Sequence, residues 1–143
     1  MSAPLVKIDL EFPYTRSVGP LIGAYLDGLQ DGRVLASRAG GKTLSPPLEY
    51  DPATGASAEP DLVEVGPEGE ITSWTWVEEP NPNHPLARPF AFALIKLDGA
   101  DTAMVHVVDG PESGVRTGAR VRPRWRAERT GYPTDIECYE VVQ

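Results

Sequence analysis

The chain is poor in the residues that build reactive centres. Its 143 residues include one cysteine, two histidines and two methionines. The lone Cys138 excludes an internal disulfide and any cysteine-built metal site within one chain. A reducing cytoplasm is the simplest home for such a chain, so a cytoplasmic protein is expected. Long apolar runs are also missing. None approaches the roughly 20 residues that a membrane span needs, so no membrane association is expected. The opening MSAPLVKIDLEFPY lacks the basic start and apolar centre of a secretory signal, and none is expected. Basic charge is scarce too, with 13 Lys and Arg against 21 Asp and Glu, a net −8. That balance makes nucleic acid an improbable general partner, because neutralising phosphates requires Lys and Arg. The deficit is uneven. Residues 1–115 carry 7 basic and 17 acidic side chains, whereas residues 116–143 carry 6 arginines and 4 acids.

What is present is turn-forming and β-prone. Residues 1–17 read as an extended arm whose Leu10, Phe12 and Tyr14 could pack on the body or on a partner. Residues 19–31, GPLIGAYLDGLQD, repeat Leu21, Ile22, Tyr25, Leu26 and Leu29 at helical spacing. Pro20 suits a first turn and Gly32 a C-terminal stop. Val34–Ser37 reads as a short strand, Ala39-Gly40-Gly41 as a turn, and Asp51-Pro52-Ala53-Thr54-Gly55 as a second turn. Two short strand-like pieces with tight turns suggest a small β-ribbon lobe, and Pro46-Pro47 interrupts it.

The densest apolar stretch follows. Ile71–Val77 and Phe90–Leu97 flank a Pro- and Asn-rich loop, Glu78–Pro89. Simple alternation puts Ile71, Ser73, Thr75 and Val77 on one face and Thr72, Trp74 and Trp76 on the other. Two indoles side by side indicate core or interface. Phe90–Leu97 is apolar on both faces up to Lys96, as a central strand would be. Leu62–Val65, Thr102–Asp109, Arg120–Arg129 and Ile136–Val142 supply further strands. In RVRPRWRAER, alternation puts Arg120, Arg122, Arg124 and Arg126 on one face. About five strands at short spacing after one helix suggest a small β-barrel with an N-terminal extension.

No catalytic set emerges. There is no G-x-S-x-G turn and no H-E-x-x-H helix. His84, in NPNHPL, reads as a surface loop residue, and His106 as a half-buried strand histidine rather than a base. Cys138 reads as a packing residue. The arginine row has two readings. Either the protein's own carboxylates answer it, or it meets an anion such as a phosphate-bearing ligand or an acidic partner surface.

At residues 37–55 the chain resembles a family that pairs a rubredoxin-like zinc ribbon with an oligonucleotide/oligosaccharide-binding (OB) barrel. That family carries two C-x-x-C knuckles separated by a double proline. Here Ser37 and Gly40 stand at the first pair, Asp51 and Thr54 at the second, with Gly41, Pro46-Pro47, Pro52 and Gly55 in the ribbon's turn positions. The stretch GEITSWTWV…RPFAFALIKLDG is similar to the start of the family's barrel. All four zinc ligands are replaced, and Ser, Gly, Asp and Thr do not supply the donors of a tetrahedral zinc site. The resemblance therefore implies a mostly β fold: residues 1–32 an arm and helix, 33–60 a degenerate, metal-free ribbon, and 61–143 a five-stranded OB barrel. No cofactor is expected.

Members of that family associate with thiolase-fold acyl-CoA enzymes, including thiolases and retro-aldolases that cleave steroid side-chain thioesters. By that resemblance the chain is expected to be a non-catalytic accessory subunit in a hetero-oligomer, with contact to the CoA thioester as a further expectation. Its partner or CoA surface is expected at Asn83, His84 and Arg88 in the loop, at Trp74 and Trp76, and at Arg120, Arg122 and Arg124. Two other readings stand beside it. One is a single-stranded nucleic-acid-binding OB protein using the arginine row. The other is a stand-alone acyl-CoA enzyme using His84 or His106.

Overall fold

A computed structural model describes residues 3–15 and 17–142. One helix, α1 (Pro20–Gln30), precedes eight strands: β1 (Leu35–Ala39), β2 (Lys42–Leu44), β3 (Val63–Glu64), β4 (Gly69–Val77), β5 (Phe90–Leu97), β6 (Met104–Asp109), β7 (Arg120–Trp125) and β8 (Ile136–Val141). The first three form a small antiparallel sheet in the order β2-β1-β3. The other five close into a barrel in the order β4-β5-β6-β8-β7. Within the barrel only the β6–β8 pair is parallel. This is the five-stranded OB-type barrel with a preceding helix and ribbon lobe that the sequence led us to expect.

The glycine turn closes the β1–β2 hairpin. Ala39 pairs with Lys42, and Gly40 and Gly41 both adopt positive φ, as a two-residue hairpin turn demands. The chain 61–65 is a junction: Val63–Glu64 pairs with β1 of the ribbon rather than with a barrel strand. One apolar core runs through both parts. Leu29 of α1, Val34, Ala36 and Val65 of the ribbon side, and Ile71, Ile95, Val108, Val121 and Tyr139 of the barrel belong to the same buried cluster.

Polar clamps hold the lobe to the barrel. The N–H of Thr43 donates to Asp101 Oδ2 at 2.8 Å, and the N–H of Asp101 donates back to the Thr43 carbonyl at 2.8 Å. The Ser45 N–H donates to Thr102 Oγ1 at 2.9 Å. The turn after β5 thus occupies the outer edge of β2. Helix α1 is tied at both ends. Glu49 from the ribbon accepts the N–H groups of Leu21 and Ile22, and Arg129 Nε donates to the Gln30 carbonyl. Both contacts satisfy groups that a helix terminus leaves unpaired.

Two strands depart from simple alternation. In β4 the ladder to β5 skips Thr72: Ile71 faces Ile95, Ser73 faces Leu94, Trp74 faces Ala93 and Trp76 faces Ala91. The extra residue is a β-bulge, and it reverses which side the later residues occupy. Trp74 and Trp76 therefore share the side of Ile71, not the opposite one. In β7 a second irregularity lies between Arg124 and Trp125, and the strand stops there. Arg126 lies beyond it, so three arginines of the expected four stand on the strand. The arm does not pack on the body: Leu10, Phe12 and Tyr14 are about three-quarters exposed.

Candidate functional site

The loop 78–89 folds back over the outside of the barrel. Leu86 packs with Phe90, Val107 and Cys138 in a second buried cluster, joined by Val77 and Phe92. His84 lies edge-on to Phe90 and Phe92, with ring centroids 5.6 and 6.1 Å away, and its Nδ1 accepts the Asn81 N–H at 3.0 Å. The histidine thus anchors the loop. Asn83 stays exposed, its N–H turned to Asn81 Oδ1. Cys138 is fully covered, and burial pushes its thiol up to about 11. At neutral pH it is a neutral packing group.

The arginines meet the chain's own acids. Arg120 reaches Asp98 and Glu68, and Arg122 Nε reaches Glu140 Oε1 at 3.0 Å. Arg124 contacts Glu137, Glu140 and Asp109, and Arg88 bonds the same Asp109. The Arg88 hydrogen bond, with help from Arg124, holds the Asp109 carboxyl below the usual carboxylate range. Arg126 donates to the Thr134 carbonyl. Structure therefore brings Arg88 and Arg124 together at one carboxylate and places Arg120 apart from them, beside the turn that follows β5. His106 is mostly buried, with its ring 5.0 Å edge-on from Tyr139. Burial holds its imidazole below the ordinary value, and its Nδ1 accepts the Val107 N–H at 2.8 Å, as a neutral ring does.

Of the four positions that the family resemblance sets at zinc ligands, Ser37, Asp51 and Thr54 make polar contacts within the chain itself. Ser37 is fully buried and its Oγ accepts the Leu48 N–H at 2.9 Å. Asp51 accepts the Ala53 N–H and the Thr54 hydroxyl, and its carboxyl carbon lies 3.0 Å from where a Gly40 Cβ would stand. The Asp51 carboxylate thus fills the space between the two turns. Among the described residues no group of three or more His, Cys, Asp and Glu is gathered as metal ligands would be.

The face that remains uncovered is apolar. Leu94 and Val105 stand directly opposite each other on β5 and β6, and both are exposed, Val105 by 66%. They form a ridge between two depressions. One, of about 240 Å³, is lined by Trp74, Thr75, Phe92 and Leu94. The other, of about 510 Å³, is lined by Tyr25, Pro46, Met104, His106, Pro133 and Ile136. Trp74, on the side of Ala93, lines the first depression with 39% of its surface exposed, and Trp76 on the same side packs against the core and donates from its indole to Glu78 at 2.7 Å. Sequence reasoning found Trp74 but missed Leu94 and Val105. The signal was there: Phe90–Leu97 is apolar on both faces, which a strand with a wet outer face does not need.

Residues 62–126 match the family model described as the ChsH2 C-terminal OB-fold domain. The matched segment is thus similar to an OB-fold domain, in keeping with the closed five-stranded barrel. The match runs from β3 through β7. Two solved structures share the fold of this chain well beyond that segment. One is a protein of unknown function from the DUF35 family of Sulfolobus solfataricus, with TM-score 0.63 and 21% identity over 87% of this chain and 83% of that one. The other is the Ltp2–ChsH2(DUF35) aldolase, with TM-score 0.59 and 19% identity over 89% of this chain and 97% of that one. A comparison with curated protein sequences finds no match. Among the described residues, no helix is long and apolar enough to cross a membrane.

Proposed function

We propose that this chain is a non-catalytic accessory subunit that docks on a thiolase-fold acyl-CoA enzyme. The observation that carries the reading is the exposed Leu94–Val105 ridge, with the partly exposed Trp74 lining the depression beside it, on a barrel similar to the ChsH2 OB-fold domain. A contiguous apolar patch of this kind marks an interaction surface, and the related fold in the Ltp2–ChsH2 aldolase belongs to an enzyme assembly. The titratable groups support a structural part. His106 is half-buried and held towards its neutral form, Cys138 is sealed, and the arginines hold carboxylates of the same chain. In this reading Trp74 lies in the interface and Asn83 at its rim. Trp76, His84, Arg88, Arg120, Arg122 and Arg124 brace the barrel and loop. A CoA phosphate would have to displace Asp98, Glu140 or Asp109 to reach those arginines. The finer reading is a retro-aldolase partner acting on steroid side-chain thioesters.

The test is co-expression with the thiolase-like enzyme of the same organism. The full chain is expected to co-elute with it and to raise its activity on acyl-CoA. Leu94→Asp with Val105→Asp is expected to leave the isolated fold intact, because both side chains face solvent, and to weaken the complex by tenfold or more, about 1.4 kcal/mol. Separate elution of the two wild-type proteins, with partner activity unchanged, overturns the proposal.

A further inference from the structure

We infer that residues 5–12 form a strand that adds to a sheet edge of the partner enzyme subunit. This inference rests on the accessory-subunit reading and gives that partner a specific feature. The segment reads LVKIDLEF. From Val6 onward it alternates without a break: Val6, Ile8, Leu10 and Phe12 on one side, Lys7, Asp9 and Glu11 on the other. Tyr14 continues the apolar side. Period-2 alternation is the pattern of a strand with one buried face. Here that face is bare. Val6, Ile8, Leu10, Phe12 and Tyr14 are each between 73 and 76% exposed. The polar side already behaves as one face, since Lys7 Nζ lies 3.5 Å from Asp9 Oδ1, two residues along.

The backbone is bare as well. Among the described residues, no hydrogen bond ties the segment to the rest of the chain. Pro4 and Pro13, which lack an N–H, bracket the stretch able to donate to a ladder. Eight residues make a strand of about 27 Å. Four or five large apolar side chains bury on the order of 600 Å², close to one partner's share of a standard interface of ~800 Å².

The chain offers itself no matching edge. The barrel is closed, and the outer edge of β2 is taken by residues 101–102. The longest open edge is the far half of β4, residues 73–77, beyond its pairing with β7. That is five residues against eight. Two arms pairing with each other would make only a two-stranded ribbon with its apolar face still wet, which is marginal in water. Membrane insertion is disfavoured, since an unpaired strand leaves its backbone polar groups unsatisfied in lipid. Strand addition to another protein satisfies backbone and side chains together.

The test uses the full chain and the co-expressed thiolase-like subunit, with amide hydrogen exchange as the readout. Amides of residues 6–12 are expected to exchange freely in the isolated chain and to slow at least a hundredfold in the complex. Ile8→Asp with Leu10→Asp, and separately Leu10→Pro, are expected to weaken binding tenfold or more without lowering the isolated chain's Tm. Lys7→Ser with Glu11→Ser is expected to change it less than threefold. A complex that forms while residues 6–12 stay unprotected overturns the strand proposal and leaves the accessory-subunit reading standing. Protection in the isolated chain that rises with concentration, alongside a dimer mass, overturns it in favour of a second copy. No complex at all overturns both.

Discussion

Asp51 shows how one side chain can bring two turns together. Its carboxylate accepts from Ala53 and Thr54 and abuts Gly40 across the lobe. Gly40 sits at φ +59, where a side chain is strained, and any Cβ there would press on the carboxylate. Gly40→Ala is therefore expected to cost about 1–2 kcal/mol, read by urea denaturation. Asp51→Ala is expected to cost about 1–2 kcal/mol through its lost hydrogen bonds. The double variant should cost less than the sum of the two, because removing the carboxylate relieves the collision. Strict additivity would show that the two residues do not share the space. The two turns of the lobe, with Ser37, Gly40, Asp51 and Thr54 that the resemblance singled out in and beside them, were legible in the sequence. That Asp51 would fill the gap was not, because nothing local says which way a turn aspartate points.

The loop over β5, β6 and β8 is the element that most changed meaning on folding. In sequence it was a run of Pro and Asn with no periodicity. In the structure Leu86 is its apolar anchor, closing over Phe90 and Cys138. Leu86→Ala is expected to cost about 2–4 kcal/mol if the loop stays closed over the cavity, and less if it lifts. The thiol of Cys138 reports which happens. In the wild type it should resist aromatic disulfide reagents for hours, and in Leu86→Ala it should react many times faster. Unchanged labelling would show that the loop does not depend on this contact. The strands and α1 were readable because period and turn chemistry are local. The Thr72 bulge was not. It is a property of the β4–β5 ladder, and a single extra residue was enough to turn Trp74 and Trp76 to the other side. The clamp between Thr43 and Asp101 was equally invisible, since it joins residues 58 apart in the chain.

At the scale of the molecule, carboxylates set the response to acid. Asp109 is held down by Arg88 and Arg124. For buried Asp135, burial would raise the carboxyl, but three N–H donors from Thr130, Gly131 and Tyr132 outweigh it and the net value is lowered. Both groups bind protons more weakly folded than unfolded, where the ordinary value is about 3.9. Their stabilisation is complete above that value and is lost as pH falls below it towards the folded values. The urea midpoint should be nearly flat from about pH 7 to 5 and fall steeply below about pH 4. Asp109→Asn should be less stable than wild type at pH 7, with the gap narrowing at pH 3. A gap that does not narrow would mean that Asp109 is not held ionised by its arginines. The overall architecture was legible from a few turns and one family pattern. The face proposed for docking was half legible, because exposure of Leu94 and Val105 depends on what the rest of the fold leaves uncovered.

The Asp51 carboxylate has a consequence for how this lobe should respond to its surroundings. A ribbon closed by zinc competes for a trace nutrient, and its thiolates are the first casualties of peroxide or a chelator. Here Asp51 and Thr54 tie their turn with hydrogen bonds of the chain's own, and the carboxylate abuts the Gly40 turn. A chelator is therefore expected to leave the coupling between Gly40→Ala and Asp51→Ala unchanged, read by the urea midpoints of the two variants and their double.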